Sequence, residues 1–212
     1  IIGIVKPIYY GIANINSQNN FGSFKNKFHY YIMEYANHDL STYLEEVKLD
    51  FKDRIELSIE IFNCLEILRQ KGYYHRDLKP DNILFINGTW NISDLGLVDK
   101  RGSYNKYDEK GKWIGPRGWM SPESMNKFLA EDKPWGILHD CSITHQSDIF
   151  QMGKILWYIL QGNSPTGLVN DNDFKYDYPE LFDLISNMLQ HSKSGRMKTI
   201  KDALDVLNEI NQ

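Results

Sequence analysis

Residues 51–71 carry apolar side chains at Ile55, Ile59, Phe62, Leu65 and Leu68, close to a 3.6-residue period. That spacing predicts a long amphipathic helix, and Gly72 stands where a helix-ending glycine belongs. Residues 149–160 are almost continuously apolar and predict a buried helix. Residues 181–189 and 200–210 predict two further amphipathic helices. A short helix is expected over 40–47, with Asp39 as its N-cap. Residues 83–86 and 90–92 flank Asn87-Gly88, a dipeptide suited to a tight hairpin turn. Nearer the start, residues 1–10 are rich in β-branched and aromatic side chains around Pro7 and predict a strand, and residues 28–35 predict a second. The intervening 13–27, with Asn14, Asn16, Asn19, Asn20 and Asn26, are expected to form a loop.

Composition changes this picture little. The chain has 212 residues, 42% hydrophobic and 25% charged, with a formal net charge of −4. That suits one domain with a sizeable core and gives no basic face for nucleic acid or an anionic membrane. No apolar run approaches the roughly 20 residues that span a bilayer. Cys64 and Cys141 lack metal-ligand spacing, so reduced thiols in a cytoplasmic setting are the expectation. The chain opens without Met and without a signal peptide, and it is expected to be a piece of a longer product.

The chemistry concentrates in His75-Arg76-Asp77-Leu78-Lys79-Pro80-Asp81-Asn82. Pro80 breaks regular structure, so a carboxylate, an ammonium and an amide can converge on one small volume. A carboxylate can take a proton from an attacking hydroxyl, an ammonium can neutralise phosphate, and an amide oxygen can ligate Mg²⁺. Downstream, Asp94-Leu95-Gly96 supplies a second carboxylate. Together these resemble the protein kinase signatures H-R-D-L-x-x-x-N and D-F-G. Lys79-Pro80 is the serine/threonine form of the loop.

The resemblance implies an α+β kinase-like fold, a mostly helical large lobe over 37–212 with a partial antiparallel small-lobe sheet over 1–36. It implies ATP and Mg²⁺, a protein substrate, and room for a regulatory protein partner. Asp77 would be the catalytic base, Lys79 would steady the γ-phosphate, and Asn82 and Asp94 would hold Mg²⁺. Ile32-Met33-Glu34-Tyr35-Ala36 looks like the hinge: Met33 would be the gatekeeper, the competing role being ordinary core filler. Glu34 and Ala36 would present backbone groups to adenine, and Leu84 would lie beneath the ring. Asp39 would meet the ribose or simply cap its helix. Arg196 would pair with Glu123 of Ser121-Pro122-Glu123, the chain's version of A-P-E. Asp148-Ile149-Phe150-Gln151-Met152-Gly153 is similar to D-x-W-S-x-G, whose aspartate holds the catalytic loop. Arg76 would pair with an activation-segment phosphate, helped by Lys100 or Arg101, with Ser103, Tyr104 and Tyr107 as acceptor candidates.

Four departures stand out. Pro116 replaces the threonine that usually contacts the catalytic aspartate and lysine. The stretch from Glu123 to Asp148 is longer than the family usually carries, and the extra part around 128–144 includes Trp135, Ile137, Leu138 and Cys141. It reads as a packed excursion or a docking element. The stretch from Pro165 to Leu181 is shorter, as if a helix were missing. The glycine-rich loop, the V-A-I-K lysine and the C-helix glutamate are absent from these 212 residues. The competing expectations are an active serine/threonine kinase, a pseudokinase acting as a binding or regulatory module, and a small-molecule kinase.

Overall fold

The computed structural model describes residues 3–19, 22–102, 113–130 and 139–212. Two antiparallel strands come first, β1 (Tyr9–Asn19) and β2 (Gly22–Ile32), with Tyr9 opposite Ile32 and Asn19 opposite Gly22. The polar stretch 13–27 is therefore not the expected loop: its described residues form the outer part of this hairpin. Ladder bonds are made by backbone groups, so a register begun by the β-favouring pairs Tyr9–Ile32 and Tyr10–Tyr31 propagates through asparagines of low strand propensity. The strand expected over 1–10 also differs, since β1 starts only at Tyr9. Before it, Ile4 makes a parallel bridge to Ile92, flanked by Val5 N–H to Ile92 O and Ile92 N–H to Gly3 O, both 2.9 Å. Pro7 has no N–H with which to continue that pairing.

The chain then runs through β3 (His38–Asp39), α1 (Leu40–Glu46), α2 (Phe51–Gln70), β4 (Tyr73–Tyr74), β5 (Ile83–Ile86), β6 (Thr89–Ile92) and β7 (Asp99–Lys100). It finishes with α3 (Pro122–Leu129), α4 (His145–Gln161), α5 (Pro179–Met188) and α6 (Ile200–Ile210). β3, β5 and β6 form one antiparallel sheet and β4 pairs with β7. Asn87 at φ +50° and Gly88 at φ +79° make the tight turn between β5 and β6 that their sequence foretold.

Capping fixes where the helices begin. Asp39 accepts from Thr42 N at 2.8 Å, Asp50 from Asp53 N at 2.9 Å and Thr199 from Asp202 N at 3.1 Å. Each such cap stabilises by about 1 kcal/mol. The core lies where α2, α4, α5 and α6 meet beneath β5 and β6. Ile61, Phe62 and Leu65 pack there with Met152, Ile155, Ile185, Met188, Ala203 and Leu207. α4 and α5 approach closely at Gly153, where an added Cβ would sit 2.8 Å from Met188 Cβ. Cys64 is buried beside β6, its Sγ donating to Trp90 O at 3.3 Å, and burial pushes its thiol up to about 12. The connection from α4 to α5 contains only the 3₁₀ turn Asp171–Asp173, which agrees with the shortened region expected before Leu181.

Candidate active site

The loop between β4 and β5 is held from behind by α4. Asp148, at the start of that helix, accepts from His75 N and Arg76 N, both at 2.8 Å. One turn later, Gln151 Oε1 accepts from Leu78 N at 3.1 Å and Gln151 Nε2 donates to Arg76 O at 3.3 Å. Four clamps are needed because Arg76 sits at φ +73°, a left-handed conformation that costs a non-glycine residue roughly 1–3 kcal/mol. Asp148 is buried, and its burial pushes the carboxyl up to about 7 against the pull of the two backbone N–H groups.

His75 is wholly buried and locks the loop to the strand end. Its Nε2 donates to Ser93 O at 2.8 Å, and its Nδ1 accepts from Asp77 N at 3.3 Å. Those two bonds require the neutral ring, and burial accordingly lowers its pKa to about 4. Ser93 in turn donates through N and Oγ to Asn82 O, at 2.8 and 3.0 Å.

Asp77 and Asn82 come together as their spacing suggested. Asn82 Nδ2 donates to Asp77 O at 2.8 Å and to Asp77 Oδ2 at 3.0 Å. This fixes the orientation of the amide and leaves Asn82 Oδ1 facing away from Asp77. Burial raises the Asp77 carboxyl above its ordinary value; Asn82 and Lys79 pull it down, while nearby Asp94 and Asp81 add to the rise. Lys79 Nζ is paired with Asp81 Oδ2 at 3.1 Å. Asp94 is exposed, with φ +55°, and its Oδ1 accepts from Gly96 N at 3.3 Å. It borders a mostly apolar cavity of about 290 Å³ shared with Val5, Pro7, Tyr31 and Leu95.

The expected hinge residues follow β2 directly. Met33 and Ala36 are half-buried and Glu34 is exposed. The connector is tied to β5 by Asn37 N–H to Phe85 O at 2.9 Å and by Asn87 Nδ2 to Glu34 Oε2 at 2.9 Å. Among the described residues, the backbone groups of Glu34 and Ala36 make no hydrogen bonds. Leu84 is buried and sits opposite Asp39 across the β3–β5 ladder. Asp39 acts as the cap of α1.

The segment after the loop is anchored by a buried, two-pronged ion pair. Arg196 Nη1 and Nη2 reach Glu123 Oε1 and Oε2 at 2.8 and 3.1 Å, and Ser147 Oγ donates to Glu123 Oε1 at 2.6 Å. Burial opposes the Glu123 charge, yet Arg196 holds its carboxyl below the ordinary value. Arg76, expected to await a phosphate, is paired with Asp99. Ser103, Tyr104 and Tyr107 lie outside the described residues, as do Trp135, Ile137 and Leu138. Of the expected excursion, Phe128 packs edge-on against Trp113 and Cys141 is half-buried.

The oxygen donors suit Mg²⁺, which takes one or two protein oxygens and completes its shell with water and phosphate. Asp94 and Asn82 Oδ1 offer such oxygens. Among the described residues no cluster of three or more His, Cys, Asp or Glu could hold a metal without help from a substrate.

The protein kinase domain family matches residues 18–210. The chain belongs to the protein kinase family. Its relatives include the mast/stem cell growth factor receptor Kit of Takifugu rubripes, 33% identical over 57% of this chain and 11% of the receptor. The dual specificity protein kinase TTK of Mus musculus is 26% identical over 64% of the chain and 16% of its own length. The serine/threonine-protein kinase MPS1 of Saccharomyces cerevisiae is 25% identical over 71% of the chain and 22% of its length. The chain thus spans less than a quarter of each of these relatives. The last two names differ in the acceptor they specify, so membership of the family leaves the acceptor residue open. The backbone of the 75–82 loop is held in place by α4 and by Ser93. What the motifs did not foretell is Gln151, Ser147 and Ser93, three polar residues that clamp backbone or carboxylate; for Gln151 and Ser147, polar positions in an otherwise apolar helix pattern were the available signal, and Ser93, just after β6, gave none.

Proposed function

We propose that this chain transfers the γ-phosphoryl group of ATP to serine or threonine hydroxyls of a protein substrate. The reading rests on one observation: Asn82 holds Asp77 by backbone and carboxylate together, at 2.8 and 3.0 Å. Asp77 Oδ1 is then left to orient an acceptor hydroxyl and take its proton. Burial raises its pKa, which makes it a better base than an exposed aspartate. Lys79, released from Asp81, would steady the γ-phosphate. Asp94 and Asn82 would hold Mg²⁺, which neutralises charge on the phosphates.

Under this reading Met33 closes the back of the adenine site, Glu34 and Ala36 offer their unpaired backbone groups to the base, and Leu84 forms its floor. Asp39, while capping α1, would also meet the ribose. Residues 1–36 then count as part of the small lobe and 37–212 as the large lobe. The preference for serine or threonine is supported by Lys79-Pro80 in the loop.

The pseudokinase alternative draws support from Pro116, which brings no side-chain donor towards Asp77, and from the Lys79–Asp81 pair. The deciding experiment is incorporation of labelled phosphate from Mg·ATP into mixed protein substrates, followed by phosphoamino acid analysis. Label on serine or threonine that disappears in Asp94→Ala supports the proposal. Label on tyrosine alone overturns the acceptor assignment, and equal background in both proteins overturns transfer.

A further inference from the structure

Lys154 is a buried lysine that the phosphoryl-transfer machinery does not use. It lies on α4, one turn beyond Gln151, and only 9% of it is exposed. Its Nζ donates to Gly118 O, and among the described residues no carboxylate pairs with it. Its burial lowers its pKa, the mark of a cation short of counter-charge.

The lysine reaches the wall of a groove of about 380 Å³. The groove runs between α3, α4 and the loop that replaces the missing helix before α5. Met120, Met125, Phe150 and Leu168 give it an apolar lining, with Leu168 94% exposed. His191 stands at the rim, and among the described residues lining it there is no aspartate or glutamate. Met120 and Ser121 belong to the segment whose Gly115 packs against Arg76 O, with an added Cβ 3.3 Å away. The groove is therefore one short stretch of chain from the catalytic loop.

We propose that this groove docks a segment of the protein substrate in which a bulky aliphatic residue stands beside an acidic one. The aliphatic side chain covers Met125 and Leu168, and the carboxylate completes the coordination of Lys154. A buried cation with no carboxylate partner among the described residues is costly, so a ligand that brings a negative charge is selected over one that brings a second cation. The choice of a substrate as occupant rests on the kinase reading above.

The test uses fluorescein-labelled serine peptides carrying a Leu-Asp, Leu-Lys or Ala-Asp pair at scanned positions, with binding followed by anisotropy in the absence of ATP. Leu-Asp peptides are expected to bind about tenfold tighter than Leu-Lys peptides. Lys154→Met should erase that discrimination. Leu168→Glu, at a surface position that folding does not need, should weaken every Leu peptide. Equal binding of Leu-Asp and Leu-Lys by the wild type, or discrimination surviving in Lys154→Met, overturns the proposal. A phosphorylation arm with the same peptides separates the two readings. Faster transfer to Leu-Asp peptides supports a docked substrate, while tight binding without faster transfer overturns it. Intact discrimination with no transfer to any peptide overturns the enzymatic reading, and with it the substrate as occupant.

Discussion

Arg76 Nη1 lies 3.0 Å from Asp99 Oδ2, and the two side chains are only 2% and 14% exposed. Asp99 begins β7, whose pairing with β4 brings it opposite Tyr74 and so next to the catalytic loop. Arg76, the residue before Asp77, therefore has a carboxylate of its own chain for a counter-ion. Asp99→Asn leaves a buried guanidinium with less charge around it. The expected loss is about 3 kcal/mol, the cost of breaking a buried pair from one side. Chemical denaturation measures it, and a double cycle with Arg76→Met should show coupling of at least about 1 kcal/mol.

Asn82→Ala removes the donor that grips Asp77 twice. Transfer should fall by roughly 10²–10⁴, the range associated with a misplaced general base, while the helical circular dichroism stays unchanged. Asn82→Asp retains the shape but sets a second carboxylate against Asp77, and it should recover less than half of the lost free energy at neutral pH. Single-turnover rates on both variants across a range of Mg²⁺ concentrations would separate the grip on Asp77 from the proposed part of Asn82 in holding Mg²⁺.

The buried His75 gives a prediction about pH. Its folded pKa of about 4 lies below the ordinary value, so the folded state favours the neutral ring. That contribution is fully present above pH 6.5 and is lost as pH falls from there towards 4. Integrated over the window it amounts to about 3 kcal/mol. Urea midpoints should fall on acidification through this range. The His75 ring resonance should remain that of a neutral imidazole at pH 5.5; a protonated ring at that pH would refute the burial argument.

Arg196 and Glu123 form the second buried pair, and here the surrounding hydrogen bonds are complete. Arg196 also donates to the carbonyl oxygens of Gln146, Gln190 and His191 at 2.6, 2.9 and 3.0 Å. Arg196→Met should cost about 3–5 kcal/mol, because Glu123 is left charged and buried. Adding Glu123→Leu should return a large part of that loss, since an apolar replacement no longer needs a partner. Thermal melts of the single and double variants provide the check.

Much of this site was legible in the sequence because its groups lie close along the chain. Asp77, Lys79 and Asn82 fall within one turn-rich loop, and Gly72, Asp39 and Asn87-Gly88 act through local backbone preferences. The Arg196–Glu123 pair bridges distant positions and was legible only through the family resemblance. What escaped were contacts that depend on tertiary placement. Gln151 and Ser147 look like ordinary helix residues until α4 is laid against the catalytic loop. The asparagines of β1 and β2 misled because strand propensity is a weak guide where a backbone register has already been set. The Arg76–Asp99 pair escaped because nothing local to Asp99 reveals that β7 pairs with β4.

Asp148 and Gln151 grip the loop from one end of α4, and Lys154 opens into the groove from the next turn. Because an α-helix rises only about 1.5 Å per residue and resists stretching, these three points keep a constant separation. Under the docking proposed above, the helix acts as a ruler between the acceptor hydroxyl and the groove. A substrate that uses both must carry its acidic–aliphatic pair at one set number of residues from its acceptor, and shifting that pair by a single residue should forfeit the benefit of docking.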